Sequence, residues 1–357
     1  MSKEYKCIEV KSKKDIKDFL NLPGKLYDSD NPRNIKEEKL LLTNKHPISK
    51  DINFYPYILL DSFGEAICRC ALTYYRDDNV AYLGFFDAVN EMDPVKEMLQ
   101  FVERKAKQDG KMKIVGPIDA SIYINYRFKM NRFKETYTSE PYNKEYYPYM
   151  WQQSGYQVVH RYVSNNLRAV SIEDADTKLE KIRDKYVARG IKFINMSDTN
   201  FDICLSDTYT LLMELYATFP GYKRLSKEQF IKMYGPLKNI ANPSMVKFAY
   251  KNGKLSAFAI AIPNYNLLTR GKLTLKKIRE IKRIKDAPKE YVILYVGAEK
   301  SSAGLGCAIM QELFDELTRN GCSSIGALIK EGNLTGKIYN HTYTNQYQYA
   351  LFEKNIY

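Results

Sequence analysis

Tyr291-Val292-Ile293-Leu294-Tyr295-Val296-Gly297-Ala298-Glu299-Lys300-Ser301-Ser302-Ala303-Gly304-Leu305-Gly306 is the stretch on which the reading of this chain turns. The first six residues are β-branched, aromatic or aliphatic and fit a strand. A turn with two glycines follows. Met310, Leu313, Phe314 and Leu317 then recur at helical spacing and form a buried stripe. The first N–H groups of such a helix have no internal partner and face outward with the positive end of its dipole. Strand, glycine turn and helix together make an anion cradle, and a diphosphate fits it. Gly304 and Gly306 carry no Cβ to hold a ligand away. A G-x-G on its own also serves as a plain tight turn. The nicotinamide fingerprint and the P-loop lysine are both missing from this window.

Working outward, the chain reads as two halves with one order of elements. In the first, Tyr57–Asp61 and Glu65–Leu72 form a hairpin about Ser62-Phe63-Gly64. Val80–Asp87 is a strand, and Asp93-Pro94 opens a helix with Val95, Met98, Leu99, Val102 and Ala106 on one face. Met112–Val115 is a short strand, 117–144 an ordered excursion, Glu145–Gln153 a helix and Tyr156–Tyr162 a strand. Tyr5–Val10 and Lys13–Leu22 precede them as strand and helix. Residues 163–173 read as the join. In the second half, Ala175–Arg189, 200–218 and 226–240 are helical. Val246–Lys251 and Lys254–Ile262 form a hairpin about Asn252-Gly253. After the cradle and its helix come a strand (Ser323–Ile329), a helix (Asn333–His341) and a final strand (Gln346–Glu353). This is an α+β chain with mixed strand directions. Its 357 residues suit two domains, 1–165 and 166–357.

Composition narrows the partners. A net charge of +13 favours anionic ones, but no helix-turn-helix, zinc-finger or RNP-like signature supports nucleic acid. Three scattered histidines and no C-x-x-C pair predict no metal site. Cys68 and Cys70 sit two apart in a strand pattern and share a face as reduced, buried thiols. Neither a secretory h-region nor an apolar run long enough to span a bilayer occurs, which predicts a cytoplasmic protein. Thirty tyrosines against one tryptophan fit pocket walls as well as cores.

The element order around the cradle resembles the GNAT superfamily of acyl-CoA N-acyltransferases. Its Q/R-x-x-G-x-G/A signature falls on Ser301, Ser302, Ala303, Gly304, Leu305 and Gly306, with Ser301 in place of Gln or Arg. The resemblance implies acetyl-CoA or a longer acyl-CoA as donor, with no metal. Those six residues would hold its pyrophosphate, Val296 would pair with pantetheine, and Asn333 of Glu331-Gly332-Asn333 would approach the cofactor. Phe19-Leu20-Asn21-Leu22-Pro23-Gly24-Lys25-Leu26-Tyr27, Gly84-Phe85-Phe86, Val115-Gly116-Pro117 and Glu140-Pro141-Tyr142-Asn143 resemble, in order, motifs of a two-lobe GNAT-like family. The implied architecture is two lobes, each a mixed, mostly antiparallel twisted sheet flanked by helices. Asp87–Pro94, at the cradle position of the first half, contains no glycine, so the N-terminal lobe resembles a degenerate one.

The implied activity is acyl transfer to a primary amine by direct attack in a ternary complex; a non-catalytic acyl-CoA sensor is the alternative. Glu299 is a candidate base or else a solvated turn residue. Tyr339, on the expected last helix, is a candidate acid or else a core tyrosine. It stands one residue short of Asn340, where the family's spacing falls. Tyr295, Tyr343, Tyr349 and His341 are further candidates. Phe219, Tyr222, Arg127, Glu140, Tyr142 and Tyr146 are candidates for the acceptor site between the halves, a common place for a cleft. The acceptor is an amine-bearing small molecule or a peptide. The basic run Arg270–Lys289 is a solvated helix, or a dock for the 3′-phosphate of CoA or for an acidic acyl carrier protein.

Overall fold

The computed structural model describes residues 4–27, 33–76, 78–271, 273–333 and 338–357. The first half runs β1 (Lys6–Glu9), α1 (Lys13–Tyr27), α2 (Ile35–Leu42), β2 (Ile52–Leu60), β3 (Ala66–Tyr75), β4 (Val80–Ala88), α3 (Met92–Gln108), β5 (Lys113–Gly116), β6 (Phe128–Lys129), α4 (Tyr147–Gln153) and β7 (Gln157–Leu167). The second runs α5 (Thr177–Ala188), β8 (Lys192–Asn195), α6 (Phe201–Leu215), α7 (Lys227–Tyr234), β9 (Val246–Lys251), β10 (Lys254–Pro263), α8 (Leu275–Asp286), β11 (Glu290–Ala298), α9 (Leu305–Asn320), β12 (Ser323–Lys330) and β13 (Tyr343–Asn355). Of the helix expected over Asn333–His341, 334–337 lie outside the described residues; Tyr339 has a left-handed backbone at φ 53°, and Asn340–Thr342 is one turn of 3-10 helix. None of the described helices is long and apolar enough to cross a membrane.

All strands join one mixed sheet, ordered β1-β2-β3-β4-β5-β13-β7-β12-β11-β10-β9-β8, with β6 added to β13. Neighbours are antiparallel except β4 with β5 and β11 with β12. The closing strands of the halves are exchanged. β13 pairs with β5 of the first half, β7 pairs with β12 of the second, and the two pair with each other. Residues 165 and 166 lie inside β7. The polar run Val163-Ser164-Asn165-Asn166, which reads as a linker, is strand at the middle of the sheet. Ser164 and Asn165 are buried there, and Ser164 Oγ bonds both the Leu328 N–H and the Tyr137 hydroxyl. Satisfied polar groups are tolerated in such a position.

Side-chain alternation sorts the second half into two faces. Ala257, Ala259 and Ala261 of β10 pack beneath α9, whereas Phe258, Ile260 and Ile262 pack beneath α6. On α9, Leu313, Phe314 and Leu317 are buried, each stabilising by roughly 1.5–3 kcal/mol. In the first half α1 continues past Leu22 through Pro23 to Tyr27. Proline has no N–H for the carbonyl four residues back. That carbonyl, on Phe19, instead accepts from Arg69 Nη1 at 2.9 Å.

Candidate functional site

β11 and β12 run side by side only from Glu290↔Ser323 to Ile293↔Gly326. Both strands then bend. Ile293 opposes Ala261 and Tyr295 opposes Ile260, so Leu294 is an extra residue, a β-bulge. β12 shifts register between Gly326 and Ile329, with Leu328 at φ 58°. Beyond this point β11 has no strand partner on the β12 side among the described residues. Its peptide groups there are free to pair with an extended ligand as with a strand. The gap is a cavity of about 390 Å³ through the sheet. Met310, Phe314 and Ile338 line it on the α9 side; Tyr216, Phe219 and Tyr234 line it on the α6–α7 side.

The glycine turn follows directly. Gly304 is the N-cap of α9 at φ 94°, a left-handed angle open to glycine. The Leu305 N–H returns to Ser302 O, and the first α-helical bond is Ala308 N–H to Gly304 O. The N–H groups of Gly306 and Cys307 lie before that bond, where a helix offers no internal acceptor. Tyr186 donates to Ala303 O at 2.8 Å and fixes the turn from α5. A Cβ on Gly306 would have no neighbour nearer than Ala298 Cβ at 3.8 Å. Packing therefore does not require glycine at 306, and the space is left for a guest. No acidic residue stands in the first turn of α9. Backbone donors, a missing Cβ and a first helical turn without an acid suit a diphosphate.

Over the whole chain the fold has solved counterparts. A tandem GNAT protein from the clavulanic acid biosynthesis pathway superposes with a TM-score of 0.57 over 99% of both chains, at 10% identity. The chain has a tandem GNAT fold. A GCN5-related N-acetyltransferase from Sphaerobacter thermophilus matches at TM-score 0.51 and 12% identity, covering 99% of this chain and 96% of that one. One from Anabaena variabilis matches at 0.54 and 7%, over 99% and 73%. No family model matches the sequence, and no curated protein aligns with it.

Within this GNAT frame the sequence-predicted residues fall into three groups. Ser301 to Gly306 form the cradle turn, and Val296 and Asn333 line the cavity beside it. Arg127 and Phe219 line the same cavity from the other side. Tyr295 and Tyr343 line it as well; the rest are engaged elsewhere. Glu299 stays in the turn, its Oε1 accepting from Ser302 Oγ at 2.6 Å. Tyr339 is buried, stacked on Phe314 at 3.7 Å between ring centroids, and donates to Gln311 Oε1 at 3.2 Å. Glu140 is buried against Lys129 Nζ at 2.8 Å and the Tyr349 hydroxyl at 2.6 Å. Tyr222 donates to Met213 O, Tyr146 to Ala88 O, and Tyr142 to Phe133 O. Tyr142 also borders a second, polar cavity of about 240 Å³ with Arg33 and Asp119. His341 lies 3.9 Å from Asp174.

Sequence reasoning passed over Tyr123, Tyr126, Tyr216 and Tyr234, which line the cavity. The Tyr216 hydroxyl makes no hydrogen bond to the described residues, and burial raises its pKa, so the phenol stays protonated. Tyr295, at the bulge, faces Tyr234 with their hydroxyls 3.4 Å apart. Among thirty tyrosines nothing in the sequence separates these from core residues.

Proposed function

We propose that the protein transfers an acyl group from acyl-CoA to a primary amine within a ternary complex. The open, bulged gap between β11 and β12, directly joined to the glycine cradle, supports this reading. The cradle from Ser301 to Gly306 would hold the diphosphate, and the unpaired edge of β11 near Val296 would hold the pantetheine. When bound, acyl-CoA supplies the thioester, so that the acceptor nitrogen forms the C–N bond, the C–S bond breaks, and the nitrogen's proton ends on the thiol. Apolar and aromatic walls keep bulk water away from that exchange. Tyr216 is our candidate for handling the proton, since its phenol is protonated and uncommitted. The acceptor approaches from the α6–α7 side, and an amino compound or a peptide end fits a cavity of this size. We place the protein in the cytoplasm.

The basic helix α8 belongs to the same proposal. None of its residues is buried, and Leu275 and Ile278 are exposed among Lys276, Arg279 and Lys282. It suits the 3′-phosphate of CoA or an acidic acyl carrier protein. Reversing Lys276, Arg279 and Lys282 should leave the melting temperature unchanged and raise the donor KM. An unchanged KM removes α8 from the donor site.

A second reading, an acyl-CoA sensor without catalysis, is favoured by one observation: Tyr339 and Glu299 are both tied up outside the cavity. Calorimetry with acetyl-CoA and longer acyl-CoAs, followed by thiol release against an amine panel, decides. Binding with release supports the transferase. Binding without release for any amine supports the sensor. No binding defeats both.

A further inference from the structure

Arg127 is only 3% exposed and lies in the loop between β5 and β6, at φ 76°. Its guanidinium carbon sits 3.6 Å from the centroid of the Tyr126 ring and 4.0 Å from that of Tyr162; the two rings are edge to face, 5.8 Å apart, and flank it on adjacent sides. Among the described residues its side chain makes one hydrogen bond, from Nη1 to Leu328 O at 3.3 Å. Nε is buried and has no partner among the described residues. No carboxylate is paired with it there, in contrast to the other buried arginines. Arg33 meets Asp87 at 2.7 Å, and Arg69 meets both Glu38 and Asp87. Burial lowers the Arg127 pKa to about 10, which leaves it cationic at neutral pH. A buried cation without a counter-charge is costly to fold around. Aromatic rings offset part of that cost, but the buried Nε–H still lacks an acceptor.

Arg127 also lines the cavity through the sheet. The two rings that flank the guanidinium each lie about 6 Å from Phe219, which follows α6. Arg127 therefore serves the α6 side, opposite the α9 cradle that takes the diphosphate. A planar fork flanked by aromatic rings, with its Nε–H unpartnered, matches a carboxylate, which accepts two parallel N–H bonds.

We propose that Arg127 receives the carboxylate of the acceptor, so that the substrate is an amine that also bears a carboxylate, an amino acid or the end of a short peptide. This rests on the acyltransferase reading for the word acceptor. The anion site itself does not. A carboxylate carried on the acyl group instead is the other source of the same chemistry.

The test is calorimetric titration of the full chain with N-acetyl derivatives of the twenty amino acids, each as free acid and as primary amide. Free dicarboxylic acids, as mimics of an acidic acyl group, form a third arm. At least one N-acetyl acid should bind roughly tenfold or more tighter than its amide, as expected where a buried donor is left unpaired. Arg127→Gln should erase that preference and leave acetyl-CoA affinity unchanged. Neither it nor Arg127→Met should melt below wild type, because each removes an uncompensated charge. The proposal is overturned if no acid binds, if acids and amides bind alike, or if only the dicarboxylic acids bind. It is equally overturned if both variants melt markedly lower while the acid preference survives. Acid binding that depends on Arg127, with no acetyl-CoA binding, would keep the site and defeat the acyltransferase reading. Acetyl-CoA binding without acid binding would do the reverse.

Discussion

β4 and β11 are both nine residues long, both start parallel to the strand beyond them, and both end just before a long helix. Only the second leaves a gap. In the first half the parallel pairing also stops, at Tyr82↔Val115. There the chain itself fills the opening: the Ile118 N–H donates to Leu83 O at 2.8 Å, and Asp119 takes the N–H of Phe85. The space is so complete that a Cβ on Gly84 would stand 2.0 Å from Ile118 O. At the next-to-last strand position the first half has Asp87, fully buried and bridging Arg33 and Arg69; the second has Gly297. At the helix start the first half places Glu91 and Asp93, where α9 has no acid. A carboxylate at a helix N-terminus occupies the place of a bound phosphate. One architecture thus serves twice, as a sealed structural half and as an open half with a cradle.

The sealed half breaks most severely if its charge network is cut. Asp87→Ala leaves two buried guanidiniums short of a partner and should destabilise by about 3–5 kcal/mol in denaturant unfolding. Acetyl-CoA affinity of the protein that remains folded should not change. A smaller loss, near or below 1 kcal/mol, would mean that the network is solvated rather than sealed. Next comes Gly84→Ala, whose new methyl meets backbone rather than a yielding side chain; about 3 kcal/mol is expected. The same experiment at Gly306 should give the opposite result. Gly306→Ala adds a Cβ with no neighbour nearer than Ala298 Cβ at 3.8 Å, so stability should not fall, while acetyl-CoA affinity falls roughly tenfold or more. A stable variant that binds as wild type would remove the cradle assignment.

The contrast between halves was half visible in the sequence. Strand, glycine turn and helix at 291–320 could be read because glycine and apolar spacing are local signals. The absence of glycine from 87–94 was local too, and it pointed to the half that is sealed. The seal was not visible, because it depends on Ile118 meeting Leu83 across a fold. The exchange of β7 and β13 was hidden for a related reason. Alternation tells which face a residue takes but not which strand lies beside it. Ser164 and Asn165 read as linker because their partners, Tyr137, Leu328 and Gln346, are distant in sequence. Arg127 is an ordinary loop cation until its surroundings are known; only burial without a carboxylate distinguishes it. Pro23 ended α1 in the sequence reading because the acceptance of Phe19 O by Arg69 is likewise a long-range fact.

The smallest predicted effect is the one that best separates the cavity from its supporting core. Tyr339 stood in the sequence as the candidate acid, yet its hydroxyl is spent on Gln311, and its ring is stacked on Phe314. Burial raises its pKa, which keeps it protonated but gives it no route to the cavity. Tyr339→Phe keeps the stack and removes one hydrogen bond, which should cost about 0.5–1.5 kcal/mol of stability. Gln311 remains held by Asp315 at 2.7 Å, so the helix should not shift. Turnover should stay within about twofold of wild type, whereas Tyr216→Phe should lower kcat by roughly tenfold to a hundredfold, the usual weight of a proton-handling group. If the two results come out reversed, the acid belongs to the core side of α9. The open half would then work from the same face as its cradle, and the assignment of Tyr216 would fall.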